Sequence, residues 1–228
     1  MDRLYSLTAG GGGPRPGVRR LSLLYGDIIR IARSANLEDV LETLESDVQL
    51  FVAETARKRL FIHAGVVGWN GRAVIVPGRS FSGKSTLVSE LVRAGATYYS
   101  DEYAVLDPKG RVHPFPKPLT LRKNGGDERQ TKVPVELLGG STGSKPLAVG
   151  LVVISHYKED ARWRPQPLSA GRGVLEILAN AVPARGKPAE ALAVLERTVR
   201  GASVIKGVRG DAAGVAASIL ERMDARQD

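Results

Sequence analysis

The chain has 228 residues, 43% apolar and 25% charged. That length and balance suit a folded globular protein with a sizeable core, no apolar run approaches the roughly 20 residues of a membrane span, and the N-terminal residues lack the apolar core of a secretory signal, so a cytoplasmic protein with no membrane partner is expected. No cysteine is present, which excludes disulfides, thiolate metal sites and cysteine nucleophiles, and the net charge of +9 suits a protein that handles anions.

Residues 4–7 and 21–31 read as strands separated by the flexible stretch GGGGPRPG. A helix follows. Leu37, Val40, Leu41, Leu44, Val48, Phe51 and Val52 recur at helical spacing, with Asn36 as N-cap and Asp39 at the capping-box position. The stripe is expected to pack in the core. Next, two apolar runs flank Asn70-Gly71, the signature of a two-residue hairpin whose turn needs positive φ at both positions. The second run, residues 73–76, enters a glycine-rich loop, and a helix with Leu87, Val88, Leu91 and Val92 on one face ends at Gly95. TYYSDEYAVLD reads as one strand, and Asp107-Pro108-Lys109-Gly110 turns it into RVHPF. Residues 123–145 are rich in Gly, Lys, Ser and Thr and read as a mobile loop, with one short element near 133–138. AVGLVVISHY is a buried strand that ARWRPQPL is expected to join. Helices are expected after Ser169, from Pro188 and after Asp211.

The chemistry is carried by Gly78, Arg79, Ser80, Phe81, Ser82, Gly83, Lys84 and Ser85, which match G-x-x-x-x-G-K-[ST] at every fixed position. Glycines let backbone N–H groups converge on phosphate oxygens, and the helix that follows, through Thr86, points its positive dipole end at the same anion. Lys84 reaches the β- and γ-phosphates, and Ser85 offers its hydroxyl to Mg²⁺. ATP and Mg²⁺ are therefore the expected cofactors. Asp101 and Glu102 end the strand after this helix, where one carboxylate serves the metal and the other accepts a proton from a hydroxyl. His63 lies on the strand before Asn70, and spacing alone leaves it open as either a core residue or a site residue. Because a two-residue turn joins the strand that feeds the loop to its predecessor, those strands are antiparallel and the sheet is mixed.

FIHAG, the hairpin, GRSFSGKS, YYSDE and HPFPKPLTLR, from Phe61 to Arg122, resemble the HPr serine kinase/phosphorylase family and its relatives. The resemblance implies an α/β P-loop core with a mixed, partly antiparallel sheet, shared with ATP-dependent phosphoenolpyruvate carboxykinases. It implies that His63 lies near the reacting phosphate, that Asp101 is the general base toward a serine hydroxyl, and that Glu102 helps hold the metal. The family's acid pair is usually Asp-Asp, its bacterial regulators carry a further N-terminal domain, and LLGGSTGSKP does not match its phosphorolysis signature. Neither HPr nor the reverse reaction is therefore implied, and the chain looks closer to short relatives that act on ribosomally made peptides.

The expectation is one kinase-like domain over 1–228: N-terminal strands and helix to 60, nucleotide-binding core 61–122, mobile loop 123–146, and C-terminal strands and helices 147–228. Its catalytic set is Asp101, His63 and Lys84, and its acceptor is a hydroxyl on a peptide, protein or small molecule, acidic acceptors included. Lys117, Arg122 and Arg185 are candidate phosphate or substrate contacts. The alternative is a nucleotide-binding switch or assembly factor that does little chemistry. Nucleic acid is not expected, since the basic residues are scattered and only four Phe and two Trp are available for stacking. A homo-oligomer stays open.

Overall fold

The computed structural model describes residues 2–10, 20–78, 82–122 and 130–225. It divides into two compact units, Met1–Ala56 and Arg57–Asp228.

In the first unit, β1 (Tyr5–Thr8), β2 (Ser22–Gly26) and β3 (Ile29–Ser34) form an antiparallel sheet in that order, followed by α1 (Leu37–Thr55). The stretch 21–31 thus splits in two. Asp27 takes a left-handed φ of 54°, which a short polar side chain tolerates, and its carboxylate accepts the Leu4 N–H at 3.0 Å. Asn36 caps α1 by accepting the Glu38 N–H at 3.0 Å, and the Asp39 carboxylate accepts from Asn36 Nδ2 at 3.2 Å. The apolar stripe of α1 is corrected: only Val40 and Ala53 are buried, while Leu37, Leu41, Val48 and Val52 are exposed. A helix of 19 residues is about 28 Å long, and three strands of four to six residues cannot cover it.

The second unit carries β4 (Leu60–Trp69), β5 (Arg72–Pro77), α2 (Lys84–Arg93), β6 (Thr97–Ser100), β7 (Tyr103–Leu106), β8 (Val112–His113), β9 (Leu119–Arg122), β10 (Gln130–Val133), β11 (Ala148–Tyr157), β12 (Gln166–Pro167), α3 (Ala170–Leu178), α4 (Pro188–Arg200), β13 (Ser203–Arg209) and α5 (Ala212–Asp224). The main sheet runs β12-β13-β11-β5-β4-β7-β8, with β6 also paired to β4. β5, β11 and β13 are parallel, and β4 is antiparallel to β5, β6 and β7. The sheet is therefore mixed. Asn70 (φ 46°) and Gly71 (φ 74°) make the left-handed turn between β4 and β5.

Both faces of this sheet are covered. Val74, Val76, Leu151, Val153 and Ile205 pack with Leu87, Val88 and Leu91 of α2 and with Val215 and Ile219 of α5. Ala73, Ile75, Val149, Ile154 and Val204 pack with Ile177 of α3 and Leu195 of α4. Each fully buried Leu, Ile or Val contributes about 1.5–3 kcal/mol. Gly65 on β4 is where α2 comes closest, since a Cβ there would overlap Val88 Cγ2.

Three further readings change. TYYSDEYAVLD is two strands, because the Ser100 hydroxyl accepts the N–H groups of Glu102 (3.2 Å) and Tyr103 (3.1 Å) and diverts the backbone from the ladder. The segment ARWRPQPL reaches the sheet at β12 and pairs with β13, not β11, since β5 and β13 occupy both edges of β11. Of the stretch expected to be a mobile loop, 123–129 lie outside the described residues. From Gln130 onward there is a strand, a 3₁₀ turn at Val135–Leu138 with Val135 buried, and a tie to β6 through Tyr98 N–H to Ser141 O and Gly143 N–H to Tyr98 O, each 2.8 Å.

Candidate functional site

β5, β11 and β13 all end on one edge of the sheet, the edge where open α/β sheets bind ligands. There β5 leads through Gly78 into the glycine-rich motif. Arg79, Ser80 and Phe81 lie outside the described residues. Gly78 donates its N–H to the His63 carbonyl at 3.1 Å, and a Cβ on Gly78 would stand 2.6 Å from Ser82 Oγ. Gly83 adopts φ 82° as the cap of α2, a conformation only glycine takes at little cost. Lys84 and Ser85 open the helix, half-buried, while Thr86 is exposed. Ser82 Oγ is buried without a hydrogen-bond partner among the described residues.

The break between β6 and β7 presents the two acids. Asp101 is buried, and its carboxylate accepts from the Tyr98 hydroxyl at 3.1 Å and the Thr120 N–H at 3.2 Å, with the Ser85 side chain beside it. Burial pushes its pKa up, against the three donors. Glu102 Oε2 pairs with Lys117 Nζ at 2.9 Å. Burial depresses the Lys84 pKa, opposed by the negative charge of Asp101 and then Glu102. His63 is half-buried on β4, its ring 4.8 Å from that of Tyr103. Burial lowers its pKa, the Lys84 charge lowers it further, and Glu102 opposes both. The imidazole is thus neutral near pH 7.

Lys84, Ser85, Asp101, Glu102, His63 and Lys117 therefore form one cluster. Arg122 lies at the end of β9 and Arg185 in the 3₁₀ turn Val182–Arg185, but their side chains fall outside the described residues. No three His, Asp or Glu side chains gather as a metal site among the described residues. The donor set fits Mg²⁺ nonetheless: a serine hydroxyl beside a carboxylate suits an ion that keeps several waters and takes its other ligands from phosphate.

Sequence reasoning missed the Tyr98 hydroxyl, whose role depends on a fold between residues distant in the chain, and it missed β13 with its terminal Arg209. The β-branched pair Val204-Ile205 with Val208, set between Gly201 and Gly210, is the available signal. Arg209 is 2% exposed, and its Nη2 donates to the Gly83 carbonyl at 2.7 Å.

Neither a family model nor a curated protein matches the chain. Among solved structures it is similar to the Hpr(Ser) kinase/phosphatase from Coxiella burnetii, at 15% identity over 73% of this chain and 97% of that one, with a TM-score of 0.39. Likeness that slight carries no argument about activity. Among the described residues, no helix is long and apolar enough to cross a membrane.

Proposed function

We propose that this site transfers the γ-phosphoryl group of ATP to a hydroxyl on a peptide, protein or small molecule. The observation that carries the proposal is the placement of Ser85, in the Gly-Lys-Ser motif, beside Asp101, in a strand break next to Glu102. The glycine-rich turn, a serine hydroxyl and two carboxylates meet at one point. A protein that only binds nucleotide does not need the second acid.

In this reading Lys84 and the N–H groups at the start of α2 bind the phosphates and stabilise their charge. Ser85 would hold Mg²⁺ with one of the acids, and bound Mg²⁺ would supply charge neutralisation across the β- and γ-oxygens. The acceptor oxygen forms its bond to the γ-phosphorus as the bond to the ADP oxygen breaks, and the acceptor proton passes to a carboxylate. The hydrogen bonds favour Asp101 for the metal side. It is buried beside Ser85 and already accepts the Thr120 N–H and faces the Tyr98 hydroxyl, whereas a base needs an open lone pair facing the acceptor. Glu102 then receives the proton, with Lys117 holding its carboxylate until substrate arrives. This reverses the division that the family resemblance implies. Neutral His63 donates a hydrogen bond toward the transferring group without adding charge.

The test is ATP consumption and phosphate incorporation with a panel of hydroxyl-bearing peptides and small molecules, for the wild type and Lys84→Ala. Transfer that depends on Lys84 is expected. Equal turnover by the two proteins, or nucleotide binding by the wild type with no transfer to any acceptor or to water, would refute the enzymatic reading.

A further inference from the structure

We infer that Arg209 is a second fixed cation of the phosphate site, pinning the Gly83 carbonyl and balancing its own charge against the phosphates of the bound nucleotide. This rests on the phosphotransferase reading above, and it adds to the site a residue that lies outside the glycine-rich motif.

The placement comes from the sheet. Tyr157 and Arg209 are register partners at the ends of the parallel strands β11 and β13, on the edge where β5 enters the motif. From there the guanidinium reaches back to α2. Its Nη2 bonds the Gly83 carbonyl at 2.7 Å, the same oxygen that accepts the Leu87 N–H at 3.2 Å in the first turn of the helix. The fit is tight, since a Cβ on Gly83 would overlap Arg209 Nη2. The Gly of Gly-Lys-Ser therefore answers two demands at once, a left-handed φ and room for this arginine. Arg209 is thereby fixed to the residue whose neighbours, Lys84 and Ser85, begin the anion-binding end of α2.

Charge accounting carries the rest. Arg209 is 2% exposed, yet no ion pair joins it to a carboxylate among the described residues, and its Nε has no hydrogen-bond partner. Its guanidinium carbon lies 5.7 Å from the centre of the Tyr157 ring, which supplies only a cation–π contact. Asp211, two residues on, caps α5 through the Gly214 N–H at 2.9 Å, and its charge acts on Arg209 only from beyond ion-pair distance. A buried cation with no carboxylate in ion-pair contact is costly. The guanidinium fork has five donors matched to phosphate oxygens. A few residues from Lys84, the anion that completes it is the nucleotide phosphate.

The test is calorimetric titration of MgADP into wild type, Arg209→Met, Arg209→Lys and Lys84→Ala, with the thermal midpoint of each apo protein. Arg209→Met should weaken MgADP by about tenfold or more, the worth of a charge-assisted bond. Its apo midpoint should stay within about 2 °C of wild type or rise, because a buried charge without an ion-pair partner has been removed. A smaller loss of affinity overturns the inference, and a lowered midpoint with unchanged affinity assigns Arg209 to packing alone. Where the Met variant is destabilised or fails to fold, Arg209→Lys decides. It keeps the charge without the fork and should bind MgADP more weakly than wild type but more tightly than any folded Met variant. Affinity equal to wild type overturns the claim. If Lys84→Ala binds MgADP as well as wild type does, the phosphate site itself is misplaced and both readings fall. If Lys84 matters and Arg209 does not, only the present inference fails.

Discussion

Tyr98 has one phenolic proton and two acceptors for it, Asp101 Oδ1 at 3.1 Å and the Lys117 carbonyl at 2.8 Å. A hydroxyl donates to one acceptor at a time. Its pKa is pushed up by burial and by the Asp101 charge, so the proton stays in place throughout the ordinary pH range. The phenol therefore couples the buried acid to the segment that holds Glu102 through Lys117.

Tyr98→Phe tests that coupling. The ring stays and one donor is lost, so stability should fall by about 0.5–1.5 kcal/mol, the net worth of a hydrogen bond. Turnover should fall further than nucleotide affinity, because the change loosens the acids and leaves Lys84 untouched. Urea melts and steady-state kinetics on the one variant check both. Unaltered kcat would remove Tyr98 from the site.

Asp101→Asn and Glu102→Gln separate the two acid roles. With Asp101 on the metal side, the Asn variant should need several-fold more Mg²⁺ for half-maximal rate. With Glu102 as base, the Gln variant should keep its Mg²⁺ requirement and nucleotide affinity and lose roughly 10²–10⁴-fold in rate. Mg²⁺ titrations of both variants decide, and the opposite pattern would restore Asp101 as base.

His63 is kept neutral, first by burial and then by Lys84. Its folded pKa lies below the ordinary 6.5, so the folded state binds fewer protons than the unfolded one. Stability is full above about 6.5 and is lost as pH falls below it, toward the folded pKa. His63→Gln should flatten that limb of the stability–pH curve and lower kcat more than nucleotide affinity. A variant that only melts earlier, with an unchanged rate, would make His63 a core residue and nothing more.

Asp107 offers a control away from the chemistry. Its carboxylate is buried in the turn between β7 and β8, where it accepts the N–H of Lys109 (2.9 Å), the N–H of Arg111 (3.0 Å) and the Arg111 guanidinium (2.9 Å), with His113 at 3.1 Å. Burial raises its pKa, but these donors outweigh it and bring the value to about 2 from 3.8. The resulting stability, of order 2 kcal/mol, is present above pH 3.8 and is lost as pH falls toward 2. Asp107→Asn should be destabilised near neutrality and close to wild type at pH 2, by acid titration of the unfolding midpoint. An equal deficit at both pH values would assign the loss to geometry rather than charge.

The legible parts of this chain are those governed by neighbours in sequence. Asn70-Gly71 dictates its turn, and Asn36, Ser169 and Asp211 cap the helices they precede. The break at Asp101–Glu102 is hidden because Tyr-Tyr-Ser and Tyr-Ala-Val-Leu both favour strands, and the interruption depends on the Ser100 hydroxyl. Arg209 does not stand out among many basic residues. Its meaning comes from β13 pairing beside β11, a contact across some fifty positions of chain that no local pattern encodes. The stripe on α1 had the correct period, but periodicity cannot say how much partner surface a small sheet provides.

The last helix has a bearing on how the protein is made. Trp69 Nε1 and Asn70 Nδ2 both bond Asp224 Oδ1, at 2.6 and 2.7 Å, and α5 covers the sheet face that Val74 and Val76 present. On the ribosome, the strand that feeds the phosphate-binding turn is synthesised long before its cover. Until Ala212–Asp224 emerges, that apolar face lacks Val215, Ala216 and Ile219 against it and is open to wrong partners. The glycine-rich motif is thus written in the first half of the second unit and its sheet is covered by the final helix, so an abbreviated chain would carry every residue of the motif on a sheet with one face left bare.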